Sequence, residues 1–237
     1  MAQAAMRYEA AASTAPVDET LPDMRFRALL GAEAWAGLPA AVRARFAKRL
    51  LPGRSVTYAG QVETCRMHVA GWALAQACRL IGAPLPLGRD AGVAAVVTVT
   101  EDGAAGGQVW TRMYARPSGF PQVIHSAKRF AGPTGLEEYL GMGFGIALRV
   151  EASAYGIRFV SDHYFLRLGI WRLRLPPWLA PGALTIDHED LGGGSFAFTL
   201  ALRHRLLGEL VRQVGHFRDQ PEVPARLGPE AIRELLP

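Results

Sequence analysis

The segment Gln108–Arg116 carries the densest set of side chains able to do chemistry. As a strand it projects Gln108, Trp110, Arg112, Tyr114 and Arg116 to one side, and Val109, Thr111, Met113 and Ala115 to the other, which reads as core. An arginine between two large aromatics can stack on them or present a planar fork to an anion. The same face on an outer wall would be an amphipathic cover, and the sequence leaves both open. Gln122–Phe130 places Val123, His125, Ala127 and Arg129 on one side and Gln122, Ile124, Ser126, Lys128 and Phe130 on the other. A turn through Pro117–Pro121 can bring His125 or Ser126 near Arg112. From Gly103 to Thr134 there is no acidic residue and four basic ones, so a site here favours an anionic or carbonyl-bearing group.

A second stripe joins Tyr155, Ile157, Phe159, Ser161, His163 and Phe165, with Arg158, Val160, Asp162, Tyr164 and Leu166 opposite. A serine and a histidine in an apolar stripe must find partners or touch solvent. Apolar walls with a few placed polar groups are what a ligand cavity needs. His163 is the candidate acid/base, although a lone histidine in such a stripe is more often a satisfied core residue. Alternation sends Asp162 the other way, away from His163.

Elsewhere the chemistry thins out. Asp187-His188-Glu189-Asp190 is the densest ligand-capable run, but strand alternation splits it between two faces, as suits a hairpin rim. Glu137 and Glu138 follow Gly135 and read as solvated turn residues. No phosphate loop, dinucleotide fingerprint, HExxH or G-x-S-x-G elbow occurs. Cys65 and Cys78 form no C-x-x-C pair and read as buried free thiols. Neither a metal site nor a cofactor is expected.

The elements that must position these residues are legible. Helices are expected over Met24–Leu30, capped by Asp23 and stopped by Gly31, and from Pro39 to Pro52-Gly53 with Val42, Phe46 and Leu50 as the buried stripe. Ser55–Glu63 alternates as a strand, and Arg66–Ile81 reads as a largely buried helix. Beyond Gly92 come strands at Val93–Thr100, Gln108–Arg116, Gln122–Phe130, Phe144–Ala152, Tyr155–Arg167, Ile170–Leu175, Ala183–Glu189, Ser195–His204 and Glu209–Arg218. Their connections are too short for parallel crossovers, so the strands must run antiparallel. A short helix over Pro229–Leu236 closes the chain after a loop at 219–228. The expected class is α+β: N-terminal helices plus a long antiparallel sheet, curled into a half-barrel or barrel and packed on the buried 66–81 helix. Residues 1–22 read as a flexible tail and 23–237 as one domain.

Composition sets the outer bounds. The 237 residues are 50% hydrophobic and 20% charged, with a formal net charge of +5, which excludes a disordered chain. Every basic residue except Lys48 and Lys128 is arginine, a skew that reads as codon usage and weakens the case for nucleic acid. Arg43, Arg45, Lys48, Arg49 and Arg54 are the nearest to a basic run and suit a solvated helix face. No apolar window reaches the length of a membrane span, and no secretory leader is evident, so a cytoplasmic protein is expected.

Four places in the chain resemble an uncharacterised bacterial family, domain of unknown function 4166. They are Phe26-Arg27-Ala28-Leu29-Leu30-Gly31 with Leu38-Pro39 and Val42-Arg43; Trp110-x-Arg112-x-Tyr114 followed by Gly135-Leu136-Glu137-Glu138; the Leu175–Pro181 stretch; and Leu207-Gly208-Glu209-Leu210. The resemblance spans roughly residues 25–218 and implies a single compact domain. Members of the family also occur fused to dehydrogenase-like domains, which implies a partner enzyme of that kind. The leading expectation is a domain that binds a small amphipathic or hydrophobic molecule on the concave face of the sheet. Its site would comprise Trp110, Arg112, Tyr114, His125, Phe159, Ser161, His163 and Phe165. A cofactor-independent isomerase, cyclase or hydrolase using His163 or His125, and an interaction domain for a dehydrogenase-like enzyme, are the alternatives.

Overall fold

Strand alternation dominates the chain, and it builds a closed barrel. The structure, a computed structural model, describes residues 20–51 and 54–219. Two short strands, β1 (Thr20–Pro22) and β2 (Lys48–Leu50), pair antiparallel and bracket three short helices, α1 (Arg25–Leu30), α2 (Ala32–Ala36) and α3 (Ala40–Phe46). Then come β3 (Ser55–Met67), α4 (Val69–Ala77) and a 3-10 turn at Cys78–Ile81. The strands β4 (Val93–Asp102), β5 (Gly107–Tyr114), β6 (Gln122–Arg129), β7 (Leu136–Gly141) and β8 (Phe144–Ala152) follow. The chain continues through β9 (Gly156–Leu168), β10 (Trp171–Arg174), β11 (Ala183–Gly192), β12 (Ser195–His204) and β13 (Gly208–Asp219).

Spatial order follows chain order from β3 to β9 and from β11 to β13; β13 closes on β3, and β9 pairs with both β8 and β11. The result is a closed, ten-stranded antiparallel barrel, with β10 a short extra strand hydrogen-bonded to the far half of β9. Because the strands run up and down, their connections fall alternately at two ends. One end holds α1–α3 and the turns after β4, β6, β8 and β11. The other holds α4 and the connections after β5, β7, β9, β10 and β12.

Three expectations change. The fold is mostly β rather than α+β. The 66–81 segment is not a buried plug: β3 runs on to Met67, and α4 lies across the barrel end with Gly71 and Ala75 buried and Val69 and Trp72 exposed. The reason is local. Gly71 sits so close to the backbone of β13 that a Cβ there would come within 2.1 Å of the Leu210 carbonyl oxygen, so the glycine face meets the sheet and the tryptophan faces out. Finally, Glu137 and Glu138 are no solvated turn: they lie in β7, both buried.

In the N-terminal segment, α3 ends at Phe46, so Val42 and Phe46 form the buried helical stripe and Leu50 is buried from β2 instead. Thr20–Pro22, inside the expected tail, pairs with β2. The terminal helix at 229–236 and most of the preceding loop lie outside the described residues. No helix among the described residues is long and apolar enough to cross a membrane.

Candidate functional site: the barrel interior

The aromatic face of β5 points inward. Gln108, Trp110, Arg112 and Tyr114 are buried, while Met113 is exposed, so the alternate face expected to be core is the outer wall. In β6, Gln122, Ile124, Ser126 and Lys128 point inward and His125 lies outside, its Nδ1 3.0 Å from the Thr111 hydroxyl. Of the two neighbours foreseen for Arg112, it is Ser126 that arrives: an Arg112 Nη donates to its Oγ at 2.7 Å.

Three charges meet inside the barrel. Lys128 Nζ stands 3.1 Å from Glu138 Oε2, and Arg112 Nη2 stands 3.5 Å from Glu138 Oε1, with all three side chains almost wholly buried. Burial alone would raise the Glu138 carboxyl; Lys128 and Arg112 outweigh it and hold the group down at about 2. The ammonium also lies 4.7 Å from the Trp110 ring centre and 5.5 Å from that of Phe159, so aromatic faces complete its shell. Lys128 thus joins Trp110 of β5 to Phe159 of β9 across the interior.

Beside this cluster, toward the α3 end, is a cavity of about 370 Å³. Trp110, Val97, Val99, Phe196, Phe198 and Phe217 make its walls, and α3 and β2 lie over its mouth through Ala41, Phe46, Lys48 and Leu50. Three neutral polar side chains line it, Tyr58, Gln108 and His188, together with the charged Arg45, Lys48 and Asp219. Gln108 accepts the Trp110 indole N–H at 3.2 Å, which fixes the ring. His188 is sandwiched by aromatics, stacked on Phe196 at 4.4 Å between centres and edge-on to Phe46 at 5.1 Å. Burial, reinforced by Arg45, lowers its imidazole to about 4, and its buried Nδ1 has no protein partner. Burial, with Asp219 adding, pushes the Tyr58 phenol up to about 12. Both therefore face the cavity uncharged at neutral pH. At the mouth Arg45 bridges Asp190 at 3.3 Å and Asp219 at 2.8 Å and stacks 4.6 Å over Phe196.

The stripe on β9 is broken by a bulge. Ala147 pairs with His163 but Leu148 with Ser161, leaving Asp162 as the extra residue. Ile157 and Phe159 face the core; past the bulge Tyr164 does, and His163 and Phe165 turn outward. Phe165 is still fully buried, because it lies over Gly145 of β8, edge-on to Tyr139, under the Arg172 guanidinium at 4.0 Å. The bulge also puts Asp162 beside His163, with Oδ2 2.7 Å from Nδ1, which corrects the expectation that alternation separates them. That hydrogen bond, aided by Arg149, lowers the Asp162 carboxyl. His163 Nε2 lies 3.5 Å from Arg172, whose Nη2 meets Glu137 at 2.5 Å. The Ser161 hydroxyl accepts the Leu184 amide at 2.9 Å.

The expected site is therefore divided. Trp110, Arg112, Tyr114 and Phe159 share the interior; Ser161 is tied to β11; His125, His163 and Phe165 lie on the outer wall. Sequence reasoning passed over Tyr58, His188, Lys128 and Glu138. Two signals were present: Leu136-x-Glu138-x-Leu140 alternates like a strand, and His188 continues the apolar face of Leu184 and Ile186. Among the described residues no three His, Cys, Asp or Glu side chains gather as metal ligands.

Fold and site together define a closed up-and-down β-barrel that encloses a mostly apolar, aromatic-walled cavity. The family model of Domain of unknown function (DUF4166) matches residues 38–217, most of the chain, and the protein belongs to that family. No curated protein and no solved structure matches the chain.

Proposed function

We propose that the barrel binds a small amphipathic or hydrophobic molecule in the cavity beside Trp110. The carrying observation is the cavity of about 370 Å³, open at the α3 end, walled by aromatic and aliphatic side chains and lined by three uncharged polar groups, with Arg45, Lys48 and Asp219 as its charged lining. Sites for small ligands have this composition and size. An apolar body would lie against Trp110, Phe196 and Phe217, with a hydrogen-bonding group at His188 Nδ1, Tyr58 or Gln108. Arg112, held by Glu138 and Ser126, does not line this cavity, and of the eight residues expected in the site Trp110 alone does.

Native mass spectrometry of the purified protein, before and after solvent extraction, tests this reading. A recurring adduct is expected, and it is expected to vanish in Val97→Trp, whose indole would occupy the space at a cost of about 1–3 kcal/mol of stability. Bare protein in every preparation, or an adduct that persists in Val97→Trp, would overturn the cavity as the binding site.

A second reading has its own observation. The Asp162–His163 hydrogen bond on the outer wall is the arrangement that orients an imidazole for acid–base work. Were that wall catalytic, His163→Ala would abolish turnover of a substrate and leave the cavity ligand bound.

A further inference from the structure

The two ends of the barrel differ in kind. Large apolar side chains exposed to solvent gather at the α4 end, on separate turns around the rim. Met142 tips the β7–β8 turn, Ile170 (91% exposed) and Trp171 (67%) tip the β9–β10 turn, Trp178 (78%) follows β10, and Leu206 (77%) tips the β12–β13 turn. Trp72 of α4 and Leu80 of the 3-10 turn stand beside them. The α3 end shows mainly Met24, Tyr155 and Leu191. Single exposed apolar residues need no explanation, but their concentration on one rim does.

Charge follows the same division. Arg66, Arg79, Arg174, Arg203 and Arg205 are exposed at the α4 end. Among the described residues the acids toward this end are Glu63, Asp90 and Glu209, which stand beside His216 at 3.3 Å, Arg116 at 3.4 Å and Arg212 at 3.6 Å. Arg66 stands directly opposite Arg212 on neighbouring strands, and Arg167 directly opposite Arg172. Glu209 and Glu137 already pair with Arg212 and Arg172, so Arg66 and Arg167 each bring a second cation to a facing pair that holds one carboxylate, and an external anion would balance it. The acids gather at the α3 end, where Glu101, Asp190 and Asp219 are tied to Arg25, Arg49 and Arg45.

We propose that the α4 end docks on an anionic lipid surface. Tryptophan and leucine on turn tips can enter the headgroup boundary, while arginines snorkel to the phosphates. Apolar insertion and electrostatic attraction together give the two signals that stable peripheral binding needs. The side chains project from separate tips around a ring rather than forming one continuous patch, which suits a deformable lipid surface better than a rigid protein partner. The cavity mouth, at the α3 end, stays free in this orientation.

Co-sedimentation with sucrose-loaded vesicles tests the proposal, comparing phosphatidylcholine mixed with phosphatidylglycerol against phosphatidylcholine alone. The protein is expected to sediment with the anionic vesicles, to be released by high salt, and to stay in solution with the neutral ones. Two variants, Ile170→Ser with Trp171→Ser and Arg205→Glu with Leu206→Ser, should each weaken binding by about tenfold or more while keeping the wild-type melting midpoint. Tyr155→Ser with Leu191→Ser, at the opposite end, should bind like wild type. Failure to sediment with either vesicle overturns the proposal, even if the same face retains a dehydrogenase-like or other protein in pull-downs. So does binding undiminished in both rim variants.

Discussion

Glu138 neutralises only one of the two cations that flank it. Removing Lys128 leaves a neutral Arg112–Glu138 pair, whereas removing Glu138 leaves two buried cations with no carboxylate. The two substitutions should therefore differ in cost although they break the same contact. Glu138→Gln is expected to destabilise by about 3–5 kcal/mol, and Lys128→Met by about 1–2 kcal/mol or less; denaturant melts of both variants check the order. His188 adds a pH dependence. The unfolded chain protonates this imidazole near 6.5, the folded one only near 4. Acid therefore favours the unfolded state within that window: the His188 contribution is constant above about pH 6.5, falls as pH drops toward 4, and is flat below. The whole loss is about 3 kcal/mol at most, and His188→Gln should remove it from a pH series of unfolding midpoints.

At the scale of elements, much was legible in the sequence. Short turns and clean alternation marked β4, β5, β6, β8 and β12 almost to their ends. The Asp162 bulge was not: one extra residue reverses every side chain beyond it, and alternation carries no mark of where the count slips. That single residue moved His163 and Phe165 from the expected pocket wall to the outer wall. The 66–81 segment misled for another reason. Its apolar run suits a buried helix, but the close approach of Gly71 to β13 is a tertiary fact. β7 was hidden because two adjacent glutamates resemble a turn until Lys128 and Arg172 supply partners across the sheet and from β10. On the outer wall Phe165 covers Gly145, where a Cβ would stand 2.3 Å from its ring. Gly145→Val should drive the ring off and cost about 2 kcal/mol of its burial, seen as a lower melting midpoint.

For the whole molecule, composition foresaw an ample buried core, and the turn pattern foresaw a curled antiparallel sheet. Closure was out of reach, because it depends on pairing Tyr58 with Asp219, residues far apart in the chain. That seam has a consequence during synthesis. Most ladders join strands close in sequence and can zip as they leave the ribosome, but β3 waits for β13, the last of the described strands to be made. Until then the growing sheet has two bare edges, and β3 presents Val56, Tyr58 and Val62 beside unpaired backbone. Such an edge is a template for pairing with another chain. From the synthesis of β3 until that of β13 the nascent sheet stays open. Crowded expression, truncation before β13, or slow release would favour aggregation seeded at β3, whatever the stability of the closed barrel.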